Sequence, residues 1–273
     1  MYSWIREYMK LFFTDRKGSY KLKHQHIPNK LYKYQPISDG IREQRLNTLK
    51  ENKIWLTKAS YLNDPFDCQP TYYNEQELRQ FIIDEKLDVN TGNTVDYLIK
   101  VTNQSLEMFN RNIKVACFSE IKDNMPLWGN YADNHKGICI EYDFSRLEYN
   151  NDFSKMLYPV GYDSERYDIT NILKSVSSGN FTSNPYVLFF LVMMKHTSWN
   201  YEREWRLIDF DFEETPSVGS LVELPVKPSA IYFGMNCSIE DINAITSIVN
   251  NTETRLFKME MQNSKYFHLN PIE

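Results

Sequence analysis

Glycine is scarce in this chain. Only nine of the 273 residues are glycine, and none falls in the Gly-x-Gly-x-x-Gly or Walker spacing that cradles phosphate groups. The Gly-x-Ser-x-Gly turn of many serine hydrolases is also missing. We therefore do not expect kinase, P-loop, ordinary dinucleotide-dehydrogenase or Ser-His-Asp hydrolase chemistry.

Cysteine and histidine are few as well. The four cysteines include no Cys-x-x-Cys pair, and the five histidines are scattered without a His-x-x-x-His pair. Structural zinc sites need such spacings, so we predict no metal site. Cys117 and Cys139 lie in apolar runs, where free thiols act as small hydrophobic groups. This use of cysteine predicts a reduced, cytoplasmic protein.

Long apolar runs and a strong charge of one sign are both absent. The longest apolar run, residues 187–194, is far shorter than the roughly 20 residues of a membrane span, and we expect it to form a buried helix. The net charge of −5 does not indicate a nucleic-acid partner, although a local basic cleft can exist within an acidic average. We expect no membrane partner.

The remaining pattern predicts one main domain. Residues 1–28 are expected to form an amphipathic helix and a basic linker, and residues 29–273 a single α+β domain with a mixed, largely antiparallel sheet flanked by helices. No repeat, low-complexity tract or long linker divides the chain. The predicted strands are 31–34, 54–57, 115–120, 138–143, 158–162, 204–210, 221–226, 231–234 and 255–261, and the predicted helices include 75–87, 95–111 and 238–250, with 164–195 largely helical.

Residues 201–206 form an unusually charged segment, Tyr-Glu-Arg-Glu-Trp-Arg, at the start of a predicted strand. Because side chains alternate along a strand, Glu202, Glu204 and Arg206 are expected to share one face. Buried carboxylates need partners or a function. The simpler interpretation is an edge strand in solvent, with Arg206 pairing one glutamate at little net energy.

Polar residues also cluster in two predicted turns. The loop from Asn63 to Asp67 could line a cleft, or its Asn and Asp side chains could only build the turn. Ser119 and Glu120 follow a buried strand and could contact a ligand or cap the strand end. Lys195 could supply positive charge for a phosphate, but a surface position is the simpler account.

Trp128, Tyr131 and His135 fall at i, i+3 and i+7 of a predicted helix, hence on one face. The two aromatic rings could stack on a base or belong to the core, which is commoner for aromatic residues at helical spacing. His135 could act as an acid or base or bind phosphate, or it could cap the carbonyl groups of the helix end.

Several of these motifs, taken in order, resemble one bacterial family. They are Tyr32-Lys33-Tyr34, Leu62 to Asp67, Cys117 to Glu120, Leu127 to Tyr131, His135-Lys136-Gly137 and Tyr201 to Arg206. In this order they resemble the family known as domain of unknown function 2971, over about residues 31–210. The family name brings no settled activity.

A more distant similarity is to the ADP-ribosyltransferase superfamily, in which a split sheet grips NAD and a late strand carries a Glu-x-Glu pattern. Glu202 and Glu204 match that pattern, and Ser60 is a loose counterpart of its serine support. The resemblance implies that Glu204 holds a ribose hydroxyl and supports the positive charge as nicotinamide leaves. It implies that Glu202 orients or deprotonates the acceptor. The first strand departs from the superfamily, since it offers Tyr32-Lys33-Tyr34 in place of arginine or histidine-glycine.

These observations lead to three hypotheses. The first is an NAD-consuming ADP-ribosyltransferase-like enzyme with NAD as substrate and an unknown macromolecular acceptor; the resemblance makes a toxin or phage-defence role plausible. The second is a non-catalytic module that binds a nucleotide or a protein, and the third is an RNA-directed nuclease. The predicted catalytic residues are Glu204 and Glu202, and the predicted ligand-binding residues are Tyr32, Tyr34, Ser60, Asn63, Asp64, Phe66, Asp67, Ser119, Glu120, Trp128, Tyr131, His135 and Arg206.

Overall fold

The computed structural model describes residues 3–38, 40–69, 71–178, 192–210, 217–263, 265 and 269–272. Within these ranges the fold is α+β, as predicted, with a mixed and largely antiparallel open sheet. The α-helices are α1 (Ser3–Thr14), α2 (Arg16–His26), α3 (Arg42–Lys50), α4 (Glu75–Asp84), α5 (Leu87–Thr91), α6 (Val95–Arg111), α7 (Met125–Tyr131), α8 (Asp152–Met156), α9 (Thr170–Ser177) and α10 (Ile239–Val249). No helix in these ranges has the length and apolar character that a membrane span requires.

Most predicted strands are present within a few residues of their expected ends. The strands are β1 (Lys30–Gln35), β2 (Lys53–Lys58), β3 (Thr71–Tyr72), β4 (Ile113–Ser119), β5 (Ile138–Asp143), β6 (Leu157–Pro159), β7 (Gly161–Asp163), β8 (Tyr167–Asp168), β9 (Met194–His196), β10 (Glu204–Phe210), β11 (Gly219–Glu223), β12 (Pro228–Phe233), β13 (Arg255–Met261) and β14 (Leu269–Ile272).

The main sheet branches at β4. Its order is β11-β2-β4-β1-β5-β12-β13-β14, and β10 pairs with both β4 and β6. β10 covers one edge of β4 from Ile113 to Ser119. The other edge is shared, since β2 pairs at Lys114 and Val115 while β1 pairs at Ser119. β1 and β2 therefore diverge along β4, which opens a cleft in the sheet.

Side chains along β4 and β10 alternate between the two faces of the sheet, and those on one face form an apolar core. Ala116, Phe118, Trp205 and Leu207 are buried in the largest core cluster, together with residues of β1, β5, β12 and α10. The intervening residues point to the other face. There Val115 and Ile208 pack in a second cluster, while Glu204 and Arg206 bring charge into the interior.

The N-terminal segment is more structured than the sequence suggests. Residues 16–26, which we expected in a basic linker, form α2, and Asp15 caps it by accepting a hydrogen bond from the Gly18 backbone N–H at 2.9 Å. Buried Tyr8 and Phe12 of α1 belong to the second core cluster. The division of the chain at residue 28 stays a prediction.

Two expected helices differ from the structure. Residues 164–178 contain β8 and only the short helix α9, and residues 192–196 contain a turn and β9. The predicted buried helix at 187–194 lies mostly outside the described residues, and its last three residues are not helical. The helix α7 ends at Tyr131, because Asp133, Asn134 and His135 all have positive φ, of 47°, 52° and 66°.

Candidate functional site

The charged segment at 201–206 is not a continuous strand. Residues Thr197–Glu202 form a 3₁₀ helix, Arg203 is left-handed with φ 43°, and β10 begins at Glu204. The predicted strand alternation is therefore wrong for Glu202. Nevertheless Glu202 and Glu204 converge, since the Lys195 ammonium lies 2.7 Å from Glu202 Oε2 and 3.2 Å from Glu204 Oε2.

Asp67 completes this cluster from a distant loop. Its Oδ2 lies 3.2 Å from Lys195 Nζ, and its Oδ1 lies 2.6 Å from Arg206 Nη2. Arg206 also donates from Nε to Glu204 Oε1 at 2.7 Å and from Nη1 to the Val192 carbonyl at 2.8 Å. Five ionisable side chains, each at most 5% exposed, thus form one buried network.

The network contains three carboxylates and only two cations, Lys195 and Arg206. Burying an unbalanced charge is costly, and protonation of one carboxylate removes it. Burial and the neighbouring Glu204 raise the pKa of Glu202 above its ordinary value. Burial acts in the same direction on Glu204, but Arg206 and Lys195 outweigh it and hold the pKa of Glu204 far below its usual range. Of the two glutamates, Glu202 is therefore the one that takes up a proton more readily.

Tyr131 makes the remaining contact to Glu202. Its hydroxyl donates to Glu202 Oε1 at 2.6 Å from the last turn of α7. Asn124 holds this helix in place: its side chain caps the Leu127 N–H at 3.2 Å and donates to the Tyr201 carbonyl at 2.9 Å. The helix and the 3₁₀ helix before β10 are thus fixed to each other.

A narrow cleft of about 80 Å³ opens beside the network. Polar and aromatic side chains from β1, β4, α7 and the loop before β3 surround it. Its lining residues are Tyr32, Lys33, Tyr34, Leu62, Asn63, Asp67, Cys117, Phe118, Ser119, Leu127, Tyr131, Lys195, Glu202 and Glu204. Lys33 Nζ donates to the Cys117 carbonyl at 3.0 Å, and burial lowers the pKa of this lysine.

The structure brings eight of the predicted site residues to this cleft and places seven elsewhere. The eight are Tyr32, Tyr34, Asn63, Asp67, Ser119, Tyr131, Glu202 and Glu204. Of the others, Arg206 lies behind the cleft against Glu204 and Asp67, and Ser60 lines a different cavity with Cys68 and Arg111. Asp64 and Phe66 line a third cavity.

Trp128, His135 and Glu120 also lie away from the cleft. Trp128 is fully buried, packs edge-on against Tyr34, and stacks on His135 with ring centroids 6.3 Å apart. The prediction that Trp128, Tyr131 and His135 share one helix face is wrong, because His135 lies beyond the end of α7. Glu120 accepts a hydrogen bond from Trp205 Nε1 at 2.9 Å, although Trp205 points away from the charged network.

Lys195 is the member of the charged network that the sequence analysis did not assign to the site. The surface position that we considered simpler is wrong, since its side chain is only 4% exposed. Its place beside an apolar run and seven residues before Glu202 was the available signal. Among the described residues, no group of three or more His, Cys, Asp and Glu side chains is arranged to hold a metal ion. In the network itself, the Lys195 ammonium occupies the point where the three carboxylates meet.

The comparison with protein families supports part of the predicted resemblance. The profile of the family described as "Protein of unknown function (DUF2971)" matches residues 127–207. Over these residues the chain is similar to this family. The DUF2971 segment contains Tyr131, Lys195, Glu202, Glu204 and Arg206, but the match leaves out β1 and the loop that carries Asp67. No significant match is found among curated proteins or solved structures.

Proposed function

We propose that this chain cleaves the N-glycosidic bond of NAD and transfers ADP-ribose to a macromolecule or to water. One observation carries the proposal: Glu202, a buried carboxyl group with a raised pKa, lies at a cleft bounded by Tyr32, Tyr34 and Tyr131. Aromatic side chains can stack on a flat ring such as nicotinamide. A carboxylate in a site without water stabilises the positive charge that develops as the bond breaks.

In the proposed reaction the bond between ribose C1′ and the nicotinamide nitrogen breaks, and its electron pair leaves with nicotinamide. The ionised carboxylate of Glu202 stabilises the oxocarbenium-like ribose, as carboxylates do in glycoside hydrolysis. An acceptor hydroxyl, amine or water then attacks C1′ and gives its proton to Glu202. A raised pKa makes Glu202 a better proton acceptor than an ordinary glutamate.

This assignment gives Glu202 the charge-stabilising role that the superfamily resemblance implied for Glu204, and Glu202 keeps its implied role toward the acceptor. Both oxygens of Glu204 are engaged by Arg206, at 2.7 and 3.0 Å, and one of them also by Lys195. Glu204 therefore acts as a positioning residue that fixes the two cations. Through Lys195, it helps to orient Glu202.

The size of the cleft limits what enters it. Pockets for drug-sized ligands have volumes of roughly 300–1,000 Å³, whereas this cleft measures about 80 Å³. Only the reacting end of a dinucleotide fits here, and the remainder has to extend beyond Lys195 or the cleft mouth.

A non-catalytic binding module is the second candidate. The observation that favours it is the internal pairing of Asp67, Glu204, Lys195 and Arg206, since a network of this kind can serve structure alone. We do not retain the nuclease hypothesis, because it required His135 beside the carboxylates and His135 instead stacks on Trp128.

The proposed setting of the reaction is the cytoplasm, where free thiols stay reduced; Cys68, Cys117, Cys139 and Cys237 are all free in the structure. A toxin or phage-defence role is part of this proposal and rests on the superfamily resemblance alone.

The test is NAD turnover by the purified wild type and Glu202→Gln, with labelled NAD and cell extract present. We expect wild type to release nicotinamide and Glu202→Gln to lose about 100-fold or more of that rate, since an essential acid or base contributes about 10²–10⁴-fold. The fraction of label on protein, on nucleic acid or in free ADP-ribose identifies the acceptor.

Glu120→Gln is the matched control. This carboxyl group follows β4 directly but faces Trp205, and glutamine keeps the oxygen that accepts from Trp205 Nε1. We expect its turnover to equal that of wild type. No nicotinamide release by folded wild-type protein would reject the enzyme proposal and favour the binding module.

A further inference from the structure

A second and larger cavity also has Lys195 in its lining. It measures about 470 Å³, within the range of small-molecule sites, and Lys195 lines both this cavity and the cleft. The loop before β3 also borders both spaces, since Asn63 and Asp67 line the cleft while Asp64 and Phe66 line the cavity. A ligand too long for the cleft thus has a neighbouring space.

Two aromatic side chains line this cavity from different segments. Phe66 is 60% exposed, which is unusual for a large apolar side chain, and Trp199 is half-buried in the 3₁₀ helix before β10. The Lys195 ammonium lies 4.9 Å from the centre of the Trp199 ring, and the Arg166 guanidinium lies 5.8 Å from that of Phe66. Both rings therefore offer flat π surfaces at positions fixed by charged neighbours.

Three carboxylates, Asp64, Asp163 and Glu165, line the cavity. Asp64 Oδ1 accepts from the Phe66 N–H at 2.9 Å, and Asp163 Oδ1 accepts from the Ser164 N–H at 2.8 Å. In each carboxylate the second oxygen has lone pairs to accept from a ligand amino group. Of the cations that line the cavity, Lys195 is already paired with three carboxylates, and Arg166 donates to the Thr71 carbonyl.

We propose that this cavity binds the purine base of the nucleotide whose reacting end enters the cleft. A purine has two flat faces for Phe66 and Trp199, and the exocyclic amino group of adenine is a donor for Asp64 or Asp163. The inference rests on the proposed function, because it assigns the adenine end of NAD. It is tested separately, since base binding requires no bond cleavage.

The test measures binding of adenosine monophosphate by calorimetry to wild type, Phe66→Ala and Phe66→Leu. Stacking of a base on an aromatic ring contributes about 1–3 kcal/mol to binding. Removing the ring is therefore expected to weaken binding about 5- to 150-fold. We expect losses in this range for Phe66→Ala. We expect a smaller but clear loss for Phe66→Leu, which keeps the apolar volume without the π face. Uridine monophosphate, with a smaller ring, should bind wild type more weakly.

Tyr97→Ala is the matched control, because Tyr97 is an aromatic residue of similar exposure, 51%, on α6 and does not line this cavity. Its affinity for adenosine monophosphate should equal that of wild type. Equal affinities of wild type and Phe66→Ala, or no binding by wild type, would overturn the inference.

The two proposals fail in different ways. Binding that depends on Phe66, in a protein that does not cleave NAD, supports the base site and rejects the reaction. NAD turnover with a KM that is unchanged in Phe66→Ala supports the reaction and rejects the base site.

Discussion

At the scale of single residues, Tyr131 opposes the rise in the pKa of Glu202. Burial and Glu204 raise that pKa, while the 2.6 Å hydrogen bond from the Tyr131 hydroxyl stabilises the ionised form and lowers it. A hydrogen bond to a charged group is worth about 1.5–3 kcal/mol, and one pKa unit corresponds to about 1.4 kcal/mol. The hydroxyl therefore has a measurable effect on when Glu202 ionises.

We predict that Tyr131→Phe moves the acidic limb of the pH profile of kcat/KM upward by about one unit. The limb reports ionisation of Glu202, so the rate well above the shifted pKa should recover. The measurement is NAD turnover from acidic to alkaline pH. Tyr201→Phe is the control, because the Tyr201 hydroxyl accepts a hydrogen bond from Asn130 Nδ2 at 3.5 Å, whereas the hydroxyl that donates to Glu202 Oε1 is that of Tyr131. An unmoved limb in Tyr131→Phe would exclude Glu202 as the titrating group.

At the scale of elements, most of the sheet was predictable because apolar and β-branched runs bounded by turns specify strands locally. β4, β5, β10 and β13 lie within two residues of their predicted ends. The break at Arg203 was not predictable, because a left-handed arginine carries no local signal of the kind that glycine gives. The convergence of Asp67, Lys195 and Glu202 depends on tertiary placement of three separate segments, which periodicity does not report.

The N-terminal helices are part of the packing behind the site. Trp4 of α1 stacks on Trp205 of β10 with ring centroids 6.2 Å apart, and on His26 of α2 at 4.2 Å. Trp205 lies between Glu204 and Arg206 in sequence and points to the opposite face. Through this stack, α1 and α2 pack against β10, the strand that carries Glu204 and Arg206.

We predict that Trp4→Ala lowers the free energy of unfolding by about 2–3 kcal/mol, somewhat less than for a fully buried tryptophan because Trp4 is half-buried. Urea unfolding followed by circular dichroism measures this change. Lys10→Ala, an exposed position on the same helix, should stay within about 0.5 kcal/mol of wild type. Equal loss in the two variants would exclude the Trp4 stack as the source of the stabilisation.

At the scale of the whole molecule, the buried network makes stability depend on pH in two opposite ways. The proton on Glu202 is bound more tightly in the folded state, since its pKa is raised above the ordinary value of 4.5. Its contribution to stability is complete below that value and is lost as pH rises through the raised pKa. Glu204 has a lowered pKa, so its contribution is present above 4.5 and is lost as pH falls.

We predict that Glu202→Gln and Glu204→Gln separate these two effects. Glutamine cannot ionise, so Glu202→Gln should gain stability relative to wild type as pH rises from about 4 to about 8. Glu204→Gln leaves Arg206 and Lys195 without their shared partner and should lose about 3–5 kcal/mol at neutral pH, with a smaller loss below about pH 4. Urea midpoints of the three proteins from about pH 3 to about pH 8 give the comparison. Parallel curves for wild type and Glu202→Gln would mean that the pKa of Glu202 is the same in the folded and unfolded states. In that case the cluster balances its charge by another group, and Glu202 is not the proton acceptor.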